Sequence, residues 1–355
     1  MTVYDDFAAR IRTTQTPLRI RGGGTKDWYG QALKGDVLDT RVNCGIVSYE
    51  PTELLITARC GTPLAEIETL LARHNQMLAF EPPRYEGSTI GGVVASALSG
   101  PRRASAGAVR DFVLGAVLMD GRGEILRFGG QVMKNVAGYD VSRLLAGSLG
   151  TLGLILEVSL KVLPVPLREA SLRFGMSEVD ALRCLNEWAG QPLPISASCW
   201  HKDVLSLRLS GADAAVEAAL RKLGGQALEG AEANAFWASL RDQTHAYFDG
   251  GSLWRMSVPS HASALILRGE QLIEWGGAQR WLKLAEDDAA NSGERAGAIR
   301  RSVAAAGGHA TLFRGGDKSV GVFHPLAPAV ANIHERLKQS FDPAGIFNPG
   351  RMYAD

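Results

Sequence analysis

Residues 81–111 contain a stretch that few folds accommodate without a bound anion or a very close backbone contact. At its centre is Gly87-Ser88-Thr89-Ile90-Gly91-Gly92. Glycine has no Cβ and reaches positive φ cheaply, so Gly91-Gly92 can aim N–H groups at a flat anionic ligand where a larger residue would clash. The small apolar run 93–98 reads as a short helix with its positive end toward those glycines. One glycine pair alone fits a tight turn between two core elements equally well. A second cluster shifts that balance: the alternating strand Leu18-Arg19-Ile20-Arg21 runs directly into Gly22-Gly23-Gly24-Thr25, about 65 residues upstream. Two backbone loops of this kind suit a ligand carrying two phosphates. Neither a G-x-G-x-x-G fingerprint nor a G-K-[ST] loop occurs in the chain, so a dinucleotide would be held by something other than a Rossmann fold or P-loop.

Taken together, RGGGT and GSTIGG resemble the two pyrophosphate loops of the FAD-binding domain shared by relatives of vanillyl-alcohol oxidase and p-cresol methylhydroxylase. The resemblance continues through Gly107 and Arg110-Asp111, Lys134–Asp140 (KNVAGYD), and Gly147–Gly153 (GSLGTLG). It ends with Phe341-Asp342-Pro343 and Asn348-Pro349-Gly350, and covers roughly residues 15–165 and 335–355. Within that family, SGPRR at 99–103 and VRDFVLG at 109–115 resemble the smaller FAD-binding subunits of bacterial glycolate oxidase. The resemblance implies an α+β fold: a two-subdomain FAD-binding domain over 1–165, an α+β cap domain with an antiparallel sheet over 166–334, and a C-terminal segment, 335–355, returning to the first domain.

It also implies a set of FAD contacts. Arg21, Gly22, Gly23, Gly24 and Thr25 belong to the first loop, and Pro82, Gly87, Ser88, Thr89, Ile90, Gly91, Gly92, Ser96 and Gly100 to the second region. Gly150, Gly153, Ile155 and Asn348 follow, with backbone at Gly153 and Ile155 expected at the adenine end. Thr25 stands where flavin-tethering members often carry a histidine, so non-covalent FAD is expected. The implied partners are a larger flavin subunit carrying the hydroxy-acid site and an iron–sulfur subunit, acting on a small 2-hydroxy acid such as glycolate or D-lactate. The alternatives are an assembly module without its own catalysis and a stand-alone flavin oxidase.

Composition bears on these choices only by exclusion. A net charge of +1 gives no global pull toward nucleic acid or an anionic membrane. Cys44, Cys60, Cys184 and Cys199 are far apart and form no C-x-x-C, which argues against a zinc ribbon or an in-chain iron–sulfur site. The seven histidines show neither i, i+4 spacing nor an H-x-G-[DE] element, so no metal site is expected. The acidic N-terminus lacks an apolar signal region and no run of about 18 apolar residues occurs, which makes the cytoplasm the expected location, with any membrane contact through partners.

Periodicity places a short helix over 1–14 with Phe7 and Ile11 inward, strands near 37–43, 45–50 and 54–58, and a helix starting at Thr62-Pro63. In that helix Thr62 is expected to cap the free N–H groups. Residues 111–119 read as a strand entering a hairpin at Asp120-Gly121-Arg122-Gly123. After Pro164-Val165-Pro166 the order is strand, helix, two strands, helix, to 223. In this second part a base and a carboxylate-binding cation would be needed for hydroxy-acid oxidation. Arg255, on a strand-like run, and His309 are the candidates, against ordinary packing roles for both.

Overall fold

The computed structural model describes residues 2–130, 140–285 and 292–353. Residues 134–139 of the KNVAGYD motif and the Ala-rich 287–290 therefore lie outside the described residues. The chain forms two compact units: residues 1–98, 107–164 and 325–355 make one, and residues 99–106 and 165–324 the other.

In the first unit, α1 (Val3–Thr13) starts at a capping box formed by Thr2 and Asp5 and buries Phe7, Ala8 and Ile11. Next, β1 (Leu18–Arg21) pairs in parallel with β2 (Asp36–Asp39). Strands β3 (Ile46–Glu50) and β4 (Leu55–Arg59) lead to α2 (Leu64–Ala72), β5 (Gln76–Met77) and α3 (Ile90–Ser96). The short α4 (Arg103–Ala106) belongs to the other unit. Beyond it come α5 (Val109–Phe112), β6 (Val113–Met119), β7 (Ile125–Gly129), α6 (Val141–Leu144), β8 (Leu154–Lys161) and β9 (Leu163–Pro164). Five strands form an antiparallel sheet in the order β3-β4-β8-β6-β7. Along the central β8, Leu154, Leu156, Val158 and Leu160 make one buried apolar face, while Ile155, Glu157, Ser159 and Lys161 alternate onto the other. Its Leu154 and Leu156 join Phe7, Ile11, Leu18, Leu38, Met119 and Phe347 in one buried cluster.

Three local expectations are corrected. Thr62 does not cap α2: its hydroxyl donates to the carbonyls of Arg59 (2.7 Å) and Gly45 (3.1 Å), and Pro63 stands at the cap position without a side-chain bond. Residues 109–112 are a helical turn, so the strand begins at Val113 rather than 111. Gly91 and Gly92 do not precede the helix but form its first turn, with Thr89 as the cap, and neither has positive φ. The residue that needs positive φ in this loop is Gly87, at 80°.

In the second unit, β10 (Arg168–Gly175), α7 (Glu178–Ala189), β11 (Ile195–His201), β12 (Val204–Gly211) and α8 (Asp213–Leu223) reproduce the order read from periodicity. Then come β13 (Gln226–Ala227), α9 (Gly230–Asp242), β14 (Ser252–Ser257), β15 (Glu270–Glu274), β16 (Gln279–Leu284), α10 (Ser292–Ala305) and β17 (His309–Arg314). Among the described residues, eight strands pair antiparallel in the order β13-β10-β12-β11-β15-β16-β14-β17. One face is apolar and packs on helices: Trp254, Met256, Leu282, Ala310 and Leu312 meet Ala296, Ile299 and Val303 of α10. The alternate residues Arg255, Trp281, Thr311 and Phe313 point to the other face, as the two-residue period of a strand requires. The last helix, α11 (Pro328–Phe341), is back in the first unit.

Candidate functional site

In the first unit the two glycine loops lie against each other. A Cβ on Gly22 would land on Thr89 Oγ1, and one on Gly23 on the carbonyl oxygen of Gly87. Side chains at 22 and 23 would therefore push the loops apart, and their absence lets two segments more than sixty residues apart share one surface. That surface is a cleft lined by Arg21 through Asp27, Thr89, Gly92, Ala95, Ser96, Leu149, Asn348 and Arg351, among others. The two middle glycines of the second loop divide the work. Gly92 lines the cleft, and a Cβ there would meet only Thr89 Oγ1, at 3.4 Å. Gly91 faces inward: its Cβ would lie 2.7 Å from Cys60 Cβ and 2.9 Å from the Cys60 carbonyl oxygen, which accepts the Gly91 N–H at 2.8 Å.

The polar side chains at the cleft are ordered by short bonds. Thr25 and Ser88 share a hydrogen bond of 3.0 Å, and the Lys26 ammonium donates to both, at 3.2 and 3.1 Å. Ser96 donates to the carbonyl of Gly92 at 2.8 Å. Arg21 is ion-paired to Asp27 at 2.7 Å and lies over Gly24, where a Cβ would be 2.1 Å from the guanidinium. Asn348, with positive φ (41°), ties three segments together. Its side-chain oxygen accepts from Ile20 N (3.0 Å), its amide donates to Leu149 O (2.6 Å), and its backbone N–H donates to Leu18 O (3.0 Å). Arg351 donates to the carbonyls of Gln31, Lys26 and Asp27, and burial lowers its pKa to about 10.

Of the residues implicated from sequence, Arg21, Gly22, Gly23, Gly24, Thr25, Thr89, Gly92, Ser96 and Asn348 converge on this cleft, and Ser88 joins through Thr25 and Lys26. The others lie elsewhere. Ile90 is fully buried and Pro82 buried. Gly87 makes the turn, and Gly91 packs on Cys60. Gly150 sits under Asn348, where a Cβ would be 2.7 Å from its amide nitrogen. Gly153 and Ile155 lie where β8 begins beside β6, next to Leu118. Gly100 is in the second unit, where its carbonyl accepts from Trp275 Nε1 at 3.1 Å. Lys26 and Arg351 were missed from sequence. Lys26 adjoins the RGGGT motif, so a basic residue directly after the loop was the available signal; Arg351 follows NPG in the same way.

The cleft suits a dinucleotide's phosphates. Three cations, Arg21, Lys26 and Arg351, face one carboxylate, Asp27, and Gly92 leaves open space where a side chain would stand. Such residues can bind, orient and neutralise an anion.

In the second unit, Arg255 stands opposite Trp281 and Thr311, its guanidinium 5.2 Å from the centre of the Phe313 ring. His309 pairs with Ser257 at the start of β17. Its imidazole pKa is lowered, first by burial, then by Arg255 and His324. The structure thus brings the two sequence candidates into one electrostatic neighbourhood. The basic pair Arg102-Arg103 is structural here: Arg102 is buried and ion-paired with Glu169, and Arg103 lies 4.5 Å over the Trp275 ring. Among the described residues no three His, Cys, Asp or Glu side chains are grouped to hold a metal ion, and no helix is long and apolar enough to cross a membrane.

Comparison with known proteins gives the family. Residues 5–129 match the family model described as FAD binding domain. The chain is 50% identical over 343 residues to glycolate oxidase subunit GlcE of Escherichia coli (strain K12), covering 96% of this chain and 94% of that protein. It is 39% identical over 182 residues to glycolate oxidase subunit GlcD of Bacillus subtilis (strain 168), covering 50% of this chain and 39% of that one. A solved structure of alkyldihydroxyacetonephosphate synthase has the same fold, with a TM-score of 0.68 at 16% identity over 98% of this chain and 75% of its own.

Proposed function

The chain belongs to the family of glycolate oxidase subunit GlcE, and we propose that it is the FAD-binding subunit of a complex that oxidises a small 2-hydroxy acid, glycolate foremost, to the 2-oxo acid. The observation that carries this reading is identity at half of all positions along nearly the whole chain. The cleft between the glycine loops supports it from the chemistry side.

Bound FAD supplies a two-electron acceptor for hydride from the substrate carbon. This chain's own residues do the holding. Gly92 leaves room for the phosphates, while Thr25, Ser88, Thr89 and Lys26 give the loop surface its donors. Thr25 has no ring nitrogen with which to form a covalent flavin link, so the cofactor is retained by these contacts alone. In the second unit, Arg255 has the planar fork that suits a substrate carboxylate. His309, with its lowered pKa, is neutral near pH 7 and so is available to accept the hydroxyl proton. The dependence on partners, a larger flavin subunit and an iron–sulfur subunit that passes electrons onward, follows from reading the chain as one subunit of an assembly.

The test is reconstitution. The purified chain retains FAD, turns over glycolate or D-lactate very slowly with an artificial electron acceptor, and becomes active when the larger flavin and iron–sulfur subunits are added. General-base assistance alone is worth about 10²–10⁴-fold, so the gap is easily measured. Equal rates for the lone chain and the mixture would replace this reading with a stand-alone oxidase; a chain that binds no FAD would replace it with a bare scaffold.

A further inference from the structure

Lys26 is chemically unusual for a lysine beside a loop. Its ammonium is drawn in beneath Tyr85, 5.5 Å from the ring centre, and its hydrogen bonds go to the neutral hydroxyls of Thr25 and Ser88. The nearby charges are otherwise committed. Asp27 is held by Arg21 at 2.7 Å, and Arg351 donates to backbone carbonyls, that of Lys26 among them. Ser88, one of the two hydroxyls, is itself buried, so at least one partner of the ammonium is held away from solvent. A desolvated cation with only dipoles for company is costly in the empty cleft and becomes favourable once an anion arrives.

We propose that the Lys26 ammonium is the counter-charge for the pyrophosphate of the bound dinucleotide, added to the backbone donors of the two glycine loops. This rests on reading the cleft as the FAD site and deepens it. The backbone loops alone read only shape and partial charge; a fixed ammonium adds a full charge where two phosphates would lie. It also makes cofactor binding proton-coupled. Burial lowers the Lys26 pKa to about 8, and a bound anion raises it again. Below that pH the free lysine is already charged and affinity is flat. Above it, binding must first return a proton, and affinity falls. Arg21, Asp27 and Arg351 line the same cleft as Lys26 and Tyr85 faces its ammonium; Arg21 and Asp27 are paired with each other, and Arg351 is held by backbone carbonyls.

The experiment measures binding, not turnover. FAD and riboflavin, which lacks the phosphates, are titrated into the apoprotein by flavin fluorescence, for the wild type, Lys26→Met and Lys26→Arg. Lys26→Met is expected to weaken FAD by about 10- to 100-fold, the loss of one charge-assisted contact. Riboflavin binding should be unchanged in Lys26→Met, and Lys26→Arg should stay close to wild type for FAD. Wild-type FAD affinity should fall about fivefold from pH 8 to pH 9, with about half a proton taken up at pH 8 in calorimetry across buffers, and Lys26→Met should show neither effect. Folding of each variant is checked by circular dichroism and by the melting temperature of the apoprotein. Equal FAD affinity and equal pH slope in Lys26→Met would overturn the proposal. So would an equal loss for riboflavin and FAD, which would move the ammonium to the flavin ring. A wild-type protein that binds no FAD at all would instead overturn the reading of the cleft.

Discussion

Gly91 and Gly92 are neighbours in one motif, yet the structure gives them opposite failure modes. A methyl at 91 enters the space of Cys60, 2.7 Å from its Cβ and 2.9 Å from its carbonyl oxygen. The neighbour cannot yield, because Cys60 is 2% exposed and its backbone is bonded both to Gly91 N and to Leu156 O. Gly91→Val should therefore cost about 1–3 kcal/mol of overpacking and about 1 kcal/mol for the strained Gly91–Cys60 hydrogen bond. At about 2 °C per kcal/mol for a long chain, the apoprotein should melt about 4–8 °C lower. At 92 a methyl meets only Thr89 Oγ1, at 3.4 Å, and alanine is the better helix former by about 1 kcal/mol. Gly92→Ala should melt at or slightly above the wild-type temperature, but its methyl projects into the cleft. The assay is melting of each apoprotein with and without excess FAD, since a ligand at about 100 times its Kd adds about 2.7 kcal/mol. The added stability should survive in Gly91→Val and shrink in Gly92→Ala. A Gly91→Val protein with unchanged apo melting and no response to FAD would refute the assignment, because it would mean that Gly91 and not Gly92 faces the ligand.

Acid or heat denaturation should release all of the flavin into solution, since Thr25 cannot tether it; yellow colour left on the precipitated chain, checked by absorbance, would contradict this. Asp342→Ala should destabilise the protein by about 3–5 kcal/mol in denaturant unfolding. The buried Asp342 carboxylate holds Lys338 (2.6 Å) and the N–H groups of Ile346 (3.1 Å) and Phe347 (2.8 Å); its loss would strip the two N–H groups of their acceptor and leave the Lys338 charge with only the carbonyls of Thr151 and Phe347. Glu270 should make the second unit acid-sensitive. Desolvation raises its pKa, but hydrogen bonds from His201, Lys283 and Lys202 outweigh this and bring it from 4.5 to about 2. Its contribution is thus complete above about pH 4.5 and lost as pH falls toward 2, because the unfolded state binds the extra proton. The slope of unfolding free energy against pH over that window should be shallower in Glu270→Gln.

Much of the architecture was legible because it rests on local periodicity. The strand–helix–strand–strand–helix order after Pro166 appears within a residue or two, since α7 and α8 each present one apolar face and the strands alternate cleanly. The glycine loops were legible as a location, not as a set of roles. Nothing in G-S-T-I-G-G says which glycine meets Cys60, thirty residues upstream, and which meets solvent. The position of Lys26 was legible but its environment was not, for the same reason: its desolvation comes from Tyr85 and Ser88, about sixty residues on. Thr62 misled because a threonine before a proline looks like a cap, whereas here its hydroxyl is consumed by the carbonyl of Arg59 in the preceding turn and that of Gly45 in a separate segment. The partner of Arg102, Glu169, comes from a strand 67 positions away, a pairing that no local pattern announces.

The long-range motif has a physical cause that reaches beyond ligand contact. Glycines at 22 and 23 are required by Thr89 and Gly87, the one at 121 by Asp342, and the one at 150 by Asn348. Each of these is a contact of protein with protein. Leu18 bridges Phe347, and Asn348 bonds Leu18, Ile20 and Leu149, so strand β1, the 147–153 loop and the C-terminal tail are fastened at one point. Motifs more than three hundred residues apart in sequence are therefore one packing unit, and most of their glycines are demanded by that unit whether or not a cofactor is present. A resemblance carried by such positions reports the fold first. On the reading proposed above, ligand contact falls to the smaller set that packing leaves over: Gly92, the hydroxyls of Thr25, Ser88 and Thr89, and the ammonium of Lys26. Substitution at a packing position such as Gly91 should lower stability while the folded protein still responds to FAD, whereas substitution at the remaining set should alter binding alone. That separation is what the paired Gly91 and Gly92 variants measure.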